Sequence, residues 1–255
     1  MKIQLISALL CFSALGACVD QADSTDDSVT ADPRIATNGL VPTAIHPNSL
    51  ANGALNGFAI SGAKGMEDTA DHRLFTAYLV GCALSTNQCV SSTYNGTTYT
   101  YCGVVDLAPA WTTRALTQSE IADVSACVLA RANLVGMNVQ ISIHGDNAQL
   151  GCTSDELSYF NLEEAAFYGN VFTSTAGAKH ACNGVDQVLY GDTIGDLPNR
   201  QCGQPDPNNP GYTLCGFVFD GNCADICSKS SDGDHYTACG AAAANVETVH
   251  VWDGR

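Results

Sequence analysis

The sequence predicts an α+β fold: a single disulfide-rich domain with about three helices, a disulfide-clamped β-hairpin and a loop-rich C-terminal third. Three observations predict it. Two Thr-x-x-Glu boxes and several apolar stripes at helical spacing mark helices. An Asn-Gly pair sits midway between two cysteines in β-rich sequence. Six further cysteines are spread through the proline- and glycine-rich stretch after about residue 181. At 255 residues the chain has room for one well-cored domain beside a leader and a tether.

The leader comes first. "MKIQLISALLCFSALGAC" carries one cation, Lys2, then an apolar run too short to span a bilayer, as in a signal peptide over residues 1–17. It closes on Leu15-Gly16-Ala17-Cys18, which looks like a lipobox: small residues admit the peptidase, and Cys18 carries the lipid. Ordinary secretory cleavage with Cys18 as a plain thiol is the alternative. Residues 18–57 are rich in Asp, Ser, Thr, Ala, Asn and Pro with little apolar periodicity, the composition of a flexible acidic tether. The globular domain is then expected over residues 58–255. Val19 rather than aspartate follows Cys18, which points to the outer membrane as the destination of this cell-envelope lipoprotein. The formal net charge of −16 repels nucleic acid phosphates and anionic lipid headgroups. The expected partners are therefore the membrane, through the N-terminal lipid, and a protein or carbohydrate ligand, with no nucleic acid.

Within the domain, "MEDTADHRLFTAYLVGCALS" places Leu74, Phe75, Tyr78, Leu79 and Cys82 at helical spacing, with Cys82 on the buried stripe. The hairpin "QCVSSTYNGTTYTYC" follows. If Asn95 and Gly96 take the two positive-φ positions of a type I′ turn, Tyr94 pairs with Thr97 and Cys89 falls opposite Cys102. Counting outward makes that a non-hydrogen-bonded pair, where the strands come closest and a disulfide fits. Next, Thr117 and Glu120 open a helix expected to run to about Val135 and stop at Gly136. Its stripe is Ile121, Val124, Val128 and Val135, with Cys127 on the flank, so the two helices pack and Cys82 bonds Cys127. "NVQISIH" alternates as a strand, with Val139, Ile141 and Ile143 on one face and Gln140, Ser142 and His144 on the other. Thr153 and Glu156 open a third helix, "LSYFNLEEAAFY", ended by Gly169. Beyond it, Cys182, Cys202, Cys215, Cys223, Cys227 and Cys239 form three bonds whose connectivity the sequence leaves open. Zinc at Cys223 and Cys227 is the rival reading, but paired short-spaced Cys or His knuckles are missing.

The segment "LAPAWTTRALTQSEIADVSACVLARANLVGMNVQISIHG" resembles a group of cysteine-rich predicted lipoproteins of myxobacterial type. The similarity extends upstream to "YLVGCAL" and downstream through "EEAAFYGNVF", "HACNG", "RQC" and "GNCADIC", covering roughly residues 74 to 239. The group has no assigned activity, so the resemblance carries over no catalytic residue. It implies no cysteine at the positions of Cys89, Cys102 and Cys152, and basic character at that of His144. The hairpin clamp is then an addition in this chain, and Cys152 the leftover thiol.

Catalytic signatures are sparse: there is no Gly-x-Ser-x-Gly elbow, His-Glu-x-x-His motif, phosphate loop or dinucleotide fingerprint. No cofactor or metal is expected, and six scattered histidines include no helical pair. "DGDH" (residues 232–235) and "DPNNPG" (residues 206–211) are oxygen-rich turns that could hold calcium, but turn chemistry explains both. Two charges stand on core-facing stripes. Arg131 continues Ile121, Val124 and Val128, and Glu164 falls on the stripe of Leu157, Phe160 and Phe167. The expectation is that Arg131 and Glu164 form a structural ion pair fixing the helix crossing. The alternative makes Glu164, with Tyr168 and Glu156, an acid–base group of a secreted hydrolase. The leading functional expectation is a binding or structural surface module; calcium-dependent carbohydrate binding is the third.

Overall fold

The computed structural model describes residues 35–36, 39–136, 138–151, 153–175, 177–186, 193–194, 197–198, 200–240 and 243–251. Cys18 and Cys152, expected as lipid site and free thiol, lie outside the described residues. Five helices are found among those described: α1 (Gly57–Gly62), α2 (Ala70–Ala83), α3 (Gln118–Ala130), α4 (Ser154–Tyr159) and α5 (Cys223–Ile226). The strands of the first half are β1 (Ile35–Ala36), β2 (Cys89–Tyr94), β3 (Thr97–Cys102) and β4 (Ile141–His144). Those of the second half begin with β5 (Leu162–Gly169), β6 (Lys179–Asn183), β7 (Thr193–Ile194), β8 (Leu197–Pro198) and β9 (Val218–Asn222). Last come β10 (Cys227–Lys229), β11 (Tyr236–Cys239), β12 (Ala243–Ala244) and β13 (Glu247–Val251). The fold is a mixed α+β domain stapled by disulfides.

Its frame is a six-stranded sheet in the order β1-β4-β13-β5-β6-β9. All neighbours are antiparallel except β6 and β9. The strand latest in sequence, β13, lies in the middle between β4 and β5. Helix α3 packs on β5 and β13, and α2 packs on α3. Phe75, Leu79, Val124, Val128, Ile141, Ile143, Phe167 and Val249 form the heart of the main core. A smaller cluster joins Ala166, Tyr168, Cys182, Tyr236 and Val246 where the β10-β11-β12 sheet meets the frame.

Local chemistry sets the element ends. Thr69 caps α2 by accepting from the His72 amide, and Thr117 with Glu120 makes a reciprocal capping box on α3. In the hairpin, Asn95 and Gly96 have φ of 50° and 79°, as a type I′ turn requires, and Cys89 stands opposite Cys102. Their Cα atoms are 4.0 Å apart and the sulfurs are bonded. Cys82 is bonded to Cys127 between α2 and α3. The remaining bonds are Cys182–Cys223, Cys202–Cys215 and Cys227–Cys239, the last also directly cross-strand, between β10 and β11.

Three expectations change. Residues 39–57, placed in the tether by composition, belong to the folded domain. Leu40, Ile45, Leu50 and Leu55 are buried, and Trp111 donates its indole N–H to the carbonyls of Leu50 and Gly53. Sparse apolar residues without period still anchor an irregular segment when a large side chain reaches across to them. Helix α3 stops at Ala130 rather than near Val135, because the Asn133 amide turns to the Leu40 carbonyl and residue 132 bridges to residue 40. Leu162–Gly169 is a strand, not the second half of a helix. Residues 163–168, Glu163 and Glu164 included, are all buried between β13 and β6, and a strand buried on both faces does not show apolar–polar alternation. The C-terminal third is loop-rich as expected, with the short strands β6 to β13 set between its loops.

Candidate functional site

A cleft of about 670 Å³ lies between α2, the hairpin and the end of α3. Its walls follow from three local constructions. Helix α2 presents Arg73 and Tyr78 one and a half turns apart. The hairpin presents Tyr99 and Tyr101 from alternate positions on β3. Arg131, the residue that ends α3, reaches in as the continuation of the Val124–Val128 stripe.

The hairpin is held against α1 and α2 by a buried carboxylate. Glu67 accepts from Ser92 Oγ at 2.8 Å and from the Tyr101 hydroxyl at 3.0 Å, while its carbonyl accepts from Arg73 Nη1 at 2.9 Å. Burial, then the Glu67 hydrogen bond, pushes the Tyr101 phenol up, so it stays a neutral donor. Gly103 makes the closure possible: a Cβ there would stand 2.2 Å from the Leu84 carbonyl carbon. The Arg73 guanidinium lies over the Tyr99 ring, 4.9 Å from its centroid. Tyr78 accepts from the Gly39 amide at 3.0 Å. The segment assigned by composition to the tether thus braces one wall of the cleft.

Arg131 is 1 % exposed, yet its Nε and Nη2 have no hydrogen-bond partner among the described residues. The centroid of the Tyr78 ring lies 5.9 Å from Arg131 Cζ. Burial lowers its pKa, but a guanidinium keeps its proton in proteins. The acid whose charge acts on it is Glu247, itself 2 % exposed, with Oε2 unpartnered among the described residues. Burial raises the Glu247 pKa well above the usual carboxylate range, with Asp123 adding to the rise.

The sequence-selected residues do not share a site. Arg131 does not pair with Glu164. Arg200 takes that place, donating from Nε to Glu164 at 2.9 Å and from Nη1 to the carbonyls of Ala130 and Ala132. With Glu164 on strand β5, the expected helix–helix crossing pair has no second helix to fix. Glu156 accepts from Ser142 Oγ at 2.5 Å, and the same hydroxyl meets His144 Nε2 at 2.6 Å. Tyr168 donates to Asp220, and its ring stacks on His180, whose Nδ1 is 2.8 Å from the same carboxylate. Glu164, Glu156 and Tyr168 thus belong to three separate networks, two of them buried.

The His180–Asp220–Tyr168 group was not legible in the sequence, because its members lie on β5, β6 and β9. It borders a groove of about 690 Å³ and ties the parallel β6–β9 pair to β5. An imidazole oriented by a carboxylate can serve as a general base. The two calcium candidates behave as turns. Asp206 accepts from the Asn208 amide, while Ser230 donates to both Asp232 and Asp234. Asp232, Asp234 and His235 do bring ligand atoms within 4.8 Å of one another, but His235 and Ser230 already engage the Asp234 carboxylate. Among the described residues no helix is long and apolar enough to cross a membrane. No family model, curated protein or solved structure matches this chain.

Proposed function

We propose that this chain is a lipid-anchored cell-envelope protein of the outer membrane, attached through Cys18, and that its domain is a ligand-binding module. The observation that carries the binding role is the cleft walled by Tyr78, Tyr99 and Tyr101 with Arg73 and Arg131 at its sides. Tyrosines and arginines give large amphipathic contact area with directional donors, the composition of recognition surfaces. Five disulfides among the described residues support an oxidising, extracytoplasmic address. The lipobox ending at Cys18 supports the anchor, and the resemblance to predicted lipoproteins agrees with it. A hydrolase centred on Glu164 draws little support, since Arg200 and burial occupy that carboxylate.

Two measurements test the proposal. Mass spectrometry of the mature N-terminus should find a lipid-modified Cys18, and Cys18→Ala should release the protein from the membrane fraction; an unmodified N-terminus upstream of residue 18 refutes the anchor. Titration with small saccharides and aromatic fragments, followed by NMR, should shift resonances of Tyr78, Tyr99 and Tyr101. Shifts confined to other surfaces refute the cleft as the binding site.

A further inference from the structure

We propose that the groove between the start of α3 and the β5–β6 connection is a second site, where His180 acts as general base in hydrolysing a neutral, short-chain acyl ester. It is independent of the binding reading of the tyrosine cleft. The Asp220 carboxylate accepts from the Tyr168 hydroxyl, and its Oδ2 lies 2.8 Å from His180 Nδ1. An acceptor on that side makes Nδ1 the protonated nitrogen, so the neutral ring carries its lone pair on Nε2. Tyr168 stacks on one face of the imidazole, with centroids 5.2 Å apart and planes 7° from parallel, and so fixes its orientation. Burial, then the bond to Asp220, pushes the Tyr168 phenol up and keeps it a neutral donor. His180 lines the groove, whereas Asp220 stands outside its wall. The imidazole is 26 % exposed, and its Nε2 is neither bonded to a described residue nor enclosed. With Nδ1 on Asp220 and one face on Tyr168, the Nε2 edge is the one the groove reaches.

The lining selects the substrate class. Carboxamides of Gln118, Asn170 and Asn245 and hydroxyls of Thr173 and Thr175 stand around an apolar patch at Ile121. Several are held in place: the two threonine hydroxyls bond each other, and Asn245 donates to Ser119. No Asp, Glu, Lys or Arg is among the described lining residues, so a charged substrate finds no partner there. An uncharged polyhydroxyl body carrying an acetyl-sized ester fits that chemistry. In the reaction, His180 Nε2 takes a proton from water as the water oxygen bonds to the acyl carbon, and the carbonyl pair moves onto its oxygen. When the carbonyl re-forms, the bond to the alcohol oxygen breaks, and the alcohol leaves with the proton from Nε2. One water is consumed, one acid and one alcohol form, and the imidazole is regenerated. Asp220 is the positioning residue: it holds the tautomer and stabilises the imidazolium while it exists.

The experiment follows acetate release from glucose pentaacetate by the complete folded chain, with free imidazole at equal concentration as the reference. The protein should exceed imidazole by roughly a hundredfold, and His180→Gln should lose that excess. Asp220→Asn should slow the reaction and turn the His180 ring-nitrogen NMR signals from one tautomer to a mixture, which loss of a merely structural contact elsewhere would not do. If a variant does not fold, diethyl pyrocarbonate acting on the unaltered protein decides the matter. Activity should then fall in step with modification of His180, mapped by mass spectrometry. Acetate release no faster than with imidazole overturns the site. Release that survives His180→Gln, or persists once His180 is fully modified, overturns the role of His180. An acetyl group trapped on His180 overturns the general-base step in favour of direct attack by the ring. An unchanged tautomer and rate in Asp220→Asn overturn the role of Asp220. Each of these outcomes leaves the binding reading of the tyrosine cleft standing.

Discussion

Arg200 ties strand β5 to the end of α3 with one guanidinium, through Glu164 on one side and the carbonyls of Ala130 and Ala132 on the other. Both partners are at least 95 % buried, so removing the carboxylate leaves a buried cation alone. Glu164→Ala should therefore cost about 3–5 kcal/mol in urea unfolding. A loss below about 1 kcal/mol would show that the pair is solvated in solution and holds little together. A second residue-scale effect comes from His144 and His250, stacked at 4.6 Å beside Ser142, Glu156 and the Asp234 carbonyl. Burial, with His144 adding to it, lowers the His250 pKa to about 4, and Glu163 and Lys229 act on it with opposite signs. A histidine depressed in the folded state stabilises fully above its unfolded pKa of about 6.5 and loses that contribution as pH falls to about 4. The native state should thus lose about 3 kcal/mol across that window. His250→Phe should flatten the slope of unfolding midpoint against pH, and an unchanged slope would assign it to other groups. At this scale the sequence marks Arg131 as inward-facing because it continues an apolar stripe; Glu164 is buried as well, but on a strand rather than on the helical stripe that singled it out. It does not reveal their partners: Arg200 sits in a segment with no period, and the pairing depends on where distant backbone passes.

At the scale of elements, the two helix- and hairpin-linked disulfides differ in what surrounds them. Cys89 and Cys102 are exposed on the outer face of the hairpin, whereas Cys82 and Cys127 are fully buried between α2 and α3. Replacing Cys89 and Cys102 by serine removes only the short-loop constraint, about 3 kcal/mol on the chain-entropy estimate, and the domain should still fold. Replacing Cys82 and Cys127 by alanine removes a longer loop's constraint, about 4 kcal/mol, and opens space in the core besides. The second variant should melt well below the first; equal melting temperatures would mean the buried bond contributes no packing. The hairpin was legible because all its information is local: an Asn-Gly turn, β-rich flanks and symmetric cysteines. Strand β5 was not, because its neighbours β6 and β13 arrive from later sequence, and a run buried on both faces has neither helical nor strand period. The candidate cleft was illegible for a related reason. Tyr78 and Arg131 stand out as stripe residues, but only packing brings them together with Tyr99 across three elements.

For the molecule as a whole, the decisive question is where folding begins along the chain. Composition assigns residues 18–57 to a tether, yet Leu40, Ile45, Leu50 and Leu55 are each at most 5 % exposed. Strand β1 adds to the edge of the main sheet at β4, and the Gly39 amide supports Tyr78 at the cleft. Burying one aliphatic side chain contributes about 1.5–3 kcal/mol, so the four together contribute on the order of 8 kcal/mol. Whole domains are stable by only about 5–15 kcal/mol. A chain beginning at residue 58 should therefore fail to fold, or melt tens of degrees below one beginning at residue 35. Losing the segment also exposes Trp111, whose indole N–H gives up the Leu50 and Gly53 carbonyls, so tryptophan emission should shift to the red. Thermolysin acting on the complete protein should spare bonds between residues 39 and 57 under native conditions. Rapid cleavage there, with the product keeping the full melting temperature, would restore the segment to the tether and leave the cleft without one of its braces.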